Sequence, residues 1–341
     1  CGFCLPTCPT YNLTGRERSS PRGRIQMMKG IAQGELSLSE VFEREMFFCL
    51  DCRACETACP AGVQYGALLS SSRTMLFQKE ERKIFSLSAM LLNGIFLSPL
   101  RIKCVAIALR ILQKSGIFEA LHRSGIAKMF SARWDEMLVL APTIANEFSD
   151  AILKKNKNNT APHTQTNGKK KPRAGVPLGC ITNVAFPEVN IATVNVLRTL
   201  GYDVVLPEHI SCCGALHHHH GDTAHAKELA LRVMKSFKEL SCDVIISNTA
   251  GCGATMKEYG AMFTGDKANE EQARMFSHKV KDIAEIVAER QKEGIVRPNL
   301  HKETVNVTYH DACHLAHGQK ITQEPRSIVK QFPNVTFNEL K

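Results

Sequence analysis

The chain has 341 residues, room for two or three domains, and its 44% hydrophobic and 22% charged content excludes a disordered tail or a fibre. With only 22 aromatic residues it does not read as a base-stacking single-stranded nucleic-acid platform, and no nucleic acid is an expected partner. The formal charge of +10 is concentrated in residues 154–173, which hold seven Lys/Arg and no acid and leave +3 elsewhere. Fourteen cysteines are the outlier, in a chain longer than most secreted disulfide frameworks and without a visible signal segment.

In chain order, residues 1–75 are dense in cysteine, with short helices between loops. Cys1, Cys4 and Cys8, followed by Pro9, read C-x2-C-x3-C-P. A helix is expected over Ser20–Gly34, with Pro21 near its start and Gly34 near its end. The strongest signal comes next: Cys49, Cys52, Cys55 and Cys59, followed by Pro60, spaced C-x2-C-x2-C-x3-C-P. This is the run of a [4Fe–4S] protein. Three thiolates on one tight loop grip one cube, and the fourth, turned away by proline, serves another. Structural zinc more often takes separated cysteine pairs, and a disulfide does not need four thiols in 11 residues.

The first run lacks its leading cysteine, so the sequence is expected to be a fragment at its amino end. Crossed pairing assigns Cys8, Cys49, Cys52 and Cys55 to one cluster. Cys1, Cys4 and Cys59 go to the other, whose fourth ligand is missing. Arg16, Arg18, Arg22, Arg24 and Lys29 lie between the runs. They read as charges that raise cluster potentials, as a docking face, or as an ordinary solvated helix face. A further helix is expected over Val63–Phe77.

Residues 76–153 are helical by pattern. Ile84–Leu100 is uncharged for 17 residues, but Ser, Asn, Gly and Pro interrupt it, so it falls short of a membrane span. Packed helices of a bundle or a surface that docks on a partner or a membrane interface both fit. The basic segment 154–173 reads as a solvated flexible linker, with polyanion or membrane-surface contact as the alternative.

From residue 174 the period changes. Apolar, β-branched runs at Val176–Cys180, Asp203–Pro207, Asp243–Asn248 and Val305–Tyr309 alternate with helical patterns at Val189–Leu200, Thr223–Leu240 and Ala268–Gln291. That alternation predicts βαβ units and a parallel sheet whose strand ends carry the unusual residues. Those residues are Cys180, Cys212-Cys213-Gly214, Cys252, and the segment His310–His314. The expected fold is thus α+β and multidomain. It has a mainly helical two-cluster ferredoxin-like domain (1–75), a helical middle (76–153), the linker, and an α/β cysteine-rich domain with a parallel sheet (174–309). A second such domain starts at 310–341.

The two runs, the Pro21-Arg22-Gly23-Arg24-Ile25 segment, Tyr65-Gly66 and Cys212-Cys213-Gly214 together resemble the iron–sulfur subunits of bacterial glycolate oxidase. The wider family includes lactate-utilisation proteins, the anaerobic glycerol-3-phosphate dehydrogenase C subunit and heterodisulfide reductase subunits. The resemblance implies a repeated C-C-G domain. Here 31 residues separate Cys180 from Cys212, and 38 separate Cys213 from Cys252. Thr249 stands where the family has another cysteine. Cys180, Cys212, Cys213 and Cys252 are then candidate ligands of an additional iron–sulfur cluster. A redox-active or zinc site, or cysteines buried for packing, are the alternatives. Cys313 opens a second repeat, expected to be cut at the carboxyl end.

Cys104 and Cys242 fit no pattern and read as core packing. His217–His220 read as solvated loop histidines, with contact to a cluster or a quinone-like acceptor as the sharper alternative. By resemblance, the chain is the electron-transfer subunit of a glycolate-oxidising oxidoreductase. It would hold two [4Fe–4S] clusters and work with an FAD-containing dehydrogenase subunit and a quinone or other membrane acceptor. Lactate or glycerol 3-phosphate as substrate, or heterodisulfide-type thiol chemistry, stay open. The chain carries no G-x-G-x-x-G loop and no catalytic residue for the hydroxy acid is assigned. The implied location is cytoplasmic, peripheral on the inner membrane.

Overall fold

A computed structural model describes residues 1–79, 87–157, 171–209, 211–294 and 304–340. It divides into two compact units. One comprises Cys1–Ser86, Cys213–Met234 and Thr249–Lys341; the other comprises Leu87–Cys212 and Lys235–Asn248.

In the first unit, the expected helix runs over Pro21–Ala32. Ser20 caps it by accepting a hydrogen bond from the Gly23 amide at 3.0 Å. Gly23 has a steric reason: a Cβ there would lie 2.0 Å from the Glu17 carbonyl oxygen. The helices Glu40–Phe48 and Tyr65–Lys79 follow, the latter close to the expected Val63–Phe77. Phe42, Met46, Cys55, Tyr65, Leu69 and Leu76 form their shared core, with Ile25, Met28 and Cys4 packed against it. The unit's carboxyl part holds a two-stranded parallel sheet, Val305–Tyr309 with Val335–Glu339.

The second unit carries the helices Leu87–Phe96, Pro99–Lys114 and four shorter ones ending at Ser149–Lys157. Among the described residues, no helix is long and apolar enough to cross a membrane. Its sheet is parallel: Arg173–Gly175 pairs with Asp203–Val205 on one side and with Val244–Ser247 on the other. The helix Pro187–Thr199 connects the first two strands. The α+β class with a parallel sheet therefore holds.

Three details differ from expectation. The first strand lies at Arg173–Gly175, not Val176–Cys180, because Gly179 turns the chain at φ 67° and Cys180 opens the helix Cys180–Ala185. Val305–Tyr309 pairs with Val335–Glu339, a partner that the search for apolar runs left out. The helical pattern Ala268–Gln291 splits into Glu270–Lys279 and Ile283–Lys292 around a short strand, Val280–Asp282. Of the basic segment, 158–170 lies outside the described residues, and Lys154–Lys157 ends a helix.

Candidate metal centre

Cys8, Cys49, Cys52 and Cys55 line one small cavity together with Pro9, Thr10, Pro21, Arg24, Leu50, Arg53 and Tyr65. The local chain explains how four thiols meet. Cys8 precedes the short helix Pro9–Thr14, and Cys55 lies in the single turn Ala54–Thr57. Cys49 ends the helix Glu40–Phe48, and between Cys49 and Cys55 the backbone is left-handed at Asp51 (φ 52°) and Arg53 (φ 59°). Those two positions bend the loop around the cavity, at a conformational cost that side chains other than glycine normally avoid.

The donor chemistry fits an iron–sulfur cube. The lining has four sulfurs and no carboxylate or imidazole. Burial and the neighbouring Cys49 thiol push the Cys55 thiol far up, and burial likewise raises Cys52, so these two thiols resist ionisation without a metal. Tyr65 donates its hydroxyl to the Cys49 sulfur at 3.5 Å. Arg24 is fully buried beside the thiols; its guanidinium donates to the Glu45 carbonyl at 2.8 Å and to the Thr10 hydroxyl at 3.1 Å. This basic residue is no solvated helix face. Arg22, by contrast, is exposed and pairs with Glu17.

Cys59 lies in a different setting. Backbone amides of Val63 and Ala61 donate to its sulfur and lower its pKa. Cys4 is half-buried against the core of the unit.

Of the cysteines downstream, Cys180 and Cys212 are buried with their sulfurs 3.8 Å apart in the second unit. In the first unit, Cys213 is buried and its carbonyl accepts from the buried Tyr259 hydroxyl at 2.7 Å. Cys252 lies in the helix Ala250–Lys257, one turn after Thr249. Cys313 is exposed and close enough to Cys52 to raise its pKa. Cys242 is a packing residue, as read: a Cβ at Gly175 would touch its sulfur at 2.7 Å. Cys104 corrects the reading, because it is exposed. Its helix presents Leu100, Cys104, Ile107 and Ile111 outward, so the sulfur lies on a solvent-facing stripe and not in the core.

Comparison with known proteins gives these motifs a context. Residues 1–63 match the 4Fe-4S dicluster domain, residues 86–140 the linker region of the glycolate oxidase iron-sulfur subunit, and residues 176–257 and 307–341 the cysteine-rich domain. The chain is 33% identical to the "Probable glycolate oxidase iron-sulfur subunit" of Bacillus subtilis (strain 168), over all of this chain and 76% of that protein. It is 31% identical to the glycolate oxidase iron-sulfur subunit of Escherichia coli (strain K12), over 96% of this chain and 73% of that one. The chain belongs to the family of glycolate oxidase iron–sulfur subunits. A more distant relative is lactate utilization protein A of Geobacillus kaustophilus, 28% identical over 44% of this chain and 61% of its own length. No solved structure matches the chain.

Sequence reasoning missed the histidine tract within this family frame. His217–His220 is not a solvated loop but most of the helix Ala215–His220, seated on the Tyr65–Lys79 helix. His217 is fully buried, His218 shares a hydrogen bond with the Ser70 hydroxyl at 3.2 Å, and His220 meets the rings of Phe47 and Phe77. His219 places its Nδ1 2.9 Å from the Asp51 carboxylate, while His314 Nε2 lies 3.0 Å from the Asp51 carbonyl oxygen. Asp51, His219 and His314 bring ligand-type atoms within 4.8 Å of one another. Arg53 and Arg73, at 3.7 and 4.0 Å from the Asp51 carboxylate, already supply the counter-charge that a cation would bring. The trio is a hydrogen-bonded joint. Only contacts across 168 and 263 residues of chain would have flagged it, and a single sequence holds no such signal.

Proposed function

We propose that this chain conducts electrons inside a glycolate-oxidising complex, receiving them from a separate FAD-containing subunit and passing them toward a membrane acceptor such as quinone. The observation that carries this reading is the cavity walled by four thiols and free of other metal ligands. Cys8, Cys49, Cys52 and Cys55 would hold one [4Fe–4S] cluster. Cys1, Cys4 and Cys59 would serve the other, Cys180, Cys212, Cys213 and Cys252 the C-C-G centre, and Cys313 a second C-C-G site. When bound, such clusters supply reversible one-electron transfer without bonding to substrate.

The protein's own groups then have definable work. Arg24 offers a buried positive charge beside a site that becomes negative, and the amides of Ala61 and Val63 support Cys59 as a thiolate. The absence of a dinucleotide loop from the sequence supports leaving the hydroxy-acid chemistry to a partner. The outward stripe Leu100, Ile107 and Ile111 supports a docking role for the middle helices.

The test is anaerobic reconstitution of the full chain with iron and sulfide, followed by metal analysis and EPR. Iron and acid-labile sulfide in near-equal amounts, with a rhombic signal after dithionite, are expected; about eight irons would mark two filled cubes. A chain that stays colourless and silent refutes the reading. Glycolate turnover by the chain without any flavoprotein refutes its division of labour.

A further inference from the structure

The loop that carries the second cysteine run is tied down by residues from far along the sequence. Its Asp51 carboxylate meets His219 at 2.9 Å, and its Asp51 carbonyl meets His314 at 3.0 Å. Arg53, one residue after Cys52, forms a two-pronged ion pair with Glu258: Nη1 to one carboxylate oxygen and Nη2 to the other at 3.0 Å. Each tether starts within six residues of a downstream cysteine of the same unit. His219 follows Cys213 by six residues, Glu258 follows Cys252 by six, and His314 adjoins Cys313.

The anchoring is built, not incidental. Asp51 and Arg53 are both buried and both left-handed, a backbone state that persists only when its surroundings enforce it. Gly66 makes room for the Arg53 head group, since a Cβ there would lie 2.7 Å from Arg53 Nε. Arg73 completes the clamp: it donates to the Cys49 carbonyl at 2.7 Å and to the His219 carbonyl at 3.0 Å. A forked guanidinium–carboxylate pair fixes direction as well as distance, which a lysine would not do.

We propose that Asp51 and Arg53, through His219, Glu258 and His314, are positioning residues that fix a cluster on the Cys49–Cys55 loop against the segments that carry the downstream cysteines Cys213, Cys252 and Cys313. Electron transfer falls steeply with separation, so a loop free to shift loses rate even when it keeps its iron. The inference rests on the electron-transfer reading above, and its test separates the two.

Glu258→Gln is the first variant. Glu258 lines a cavity of about 1060 Å³ and its side chain is 34% exposed, so the change leaves the core packed. His219→Gln is the second, at the other tether. Both are reconstituted anaerobically as full chains beside the parent. Iron and sulfide content, EPR line shape during stepwise reduction, and the freeze-quenched rate at which electrons leave the loop's cluster are then compared. Parent-like iron content is expected in both. The broadening imposed by a neighbouring paramagnetic centre should be lost, and onward transfer should slow by about tenfold or more, the usual range for outer-shell partners. Parent line shape and parent rate in both variants overturn the proposal. A parent chain that takes up no iron and sulfide overturns the reading beneath it instead.

Discussion

The guanidinium of Arg24, at 1% exposure, has the buried Glu45 carboxylate 3.8 Å away as its partner and still lines the four-thiol cavity, so its positive charge acts on whatever the thiols hold. Arg24 therefore gives a prediction at the scale of one residue. Arg24→Met keeps the volume and removes the charge, so the reduction potential of the adjacent cluster should fall, on the order of tens of millivolts. An EPR-monitored redox titration reads it, and an unchanged midpoint would leave Arg24 as scaffolding. Residues of this kind were only half legible. The cysteines announce themselves by spacing, because the cube dictates where thiolates on one loop must fall. Arg24 lies in the same short segment as Arg22, yet one is buried and the other is exposed, and composition cannot tell them apart. The histidine tract shows the same limit: its partners Asp51, Ser70 and Phe47 lie 148 to 173 residues earlier.

Among the elements, the helix Ile283–Lys292 offers a pH test. Asp282 caps it in a reciprocal box with Glu285, accepting from the Ala284 amide at 2.9 Å. Burial raises the Asp282 pKa to about 6 from 3.8. The folded state thus holds a proton that the unfolded chain releases. The stabilisation is full below about pH 4 and is lost as pH rises through about 6. Asp282→Asn keeps a capping side chain and should abolish this dependence, flattening the difference in unfolding free energy by up to roughly 3 kcal/mol between pH 4 and 7. Urea melts of both proteins across that range check it; parallel curves would count against the buried, protonated carboxyl. The same region shows why element boundaries escaped the sequence. A three-residue strand at Val280–Asp282 carries too few residues to alternate visibly, so the flanking helices read as one. Arg173–Gly175 was hidden for the same reason, while the long amphipathic Thr223–Glu239 was found almost residue for residue.

For the molecule as a whole, the matter is what it meets. Leu100, Ile107 and Ile111 stand 74%, 40% and 62% exposed on one helix face. Since these side chains contribute little to packing, Ile107→Ser with Ile111→Ser should leave the melting temperature within about 2 °C of the parent. Capture of the flavin subunit or of membranes should weaken in co-purification, and a large drop in thermal stability would show instead that the stripe is covered. The α+β class and the parallel sheet were readable from the alternation of periods. The division into two units was not, since it interleaves segments that are distant in the chain. The cavity bordered by Cys8, Cys49, Cys52 and Cys55 carries one more consequence, for handling. Soft sulfur donors prefer zinc to ferrous iron when both are free, and nothing in that lining discriminates by size or hardness. Identity of the bound element therefore depends on inorganic sulfide arriving before competing metals do, and protein grown in zinc-rich aerated medium is expected to come out mismetallated.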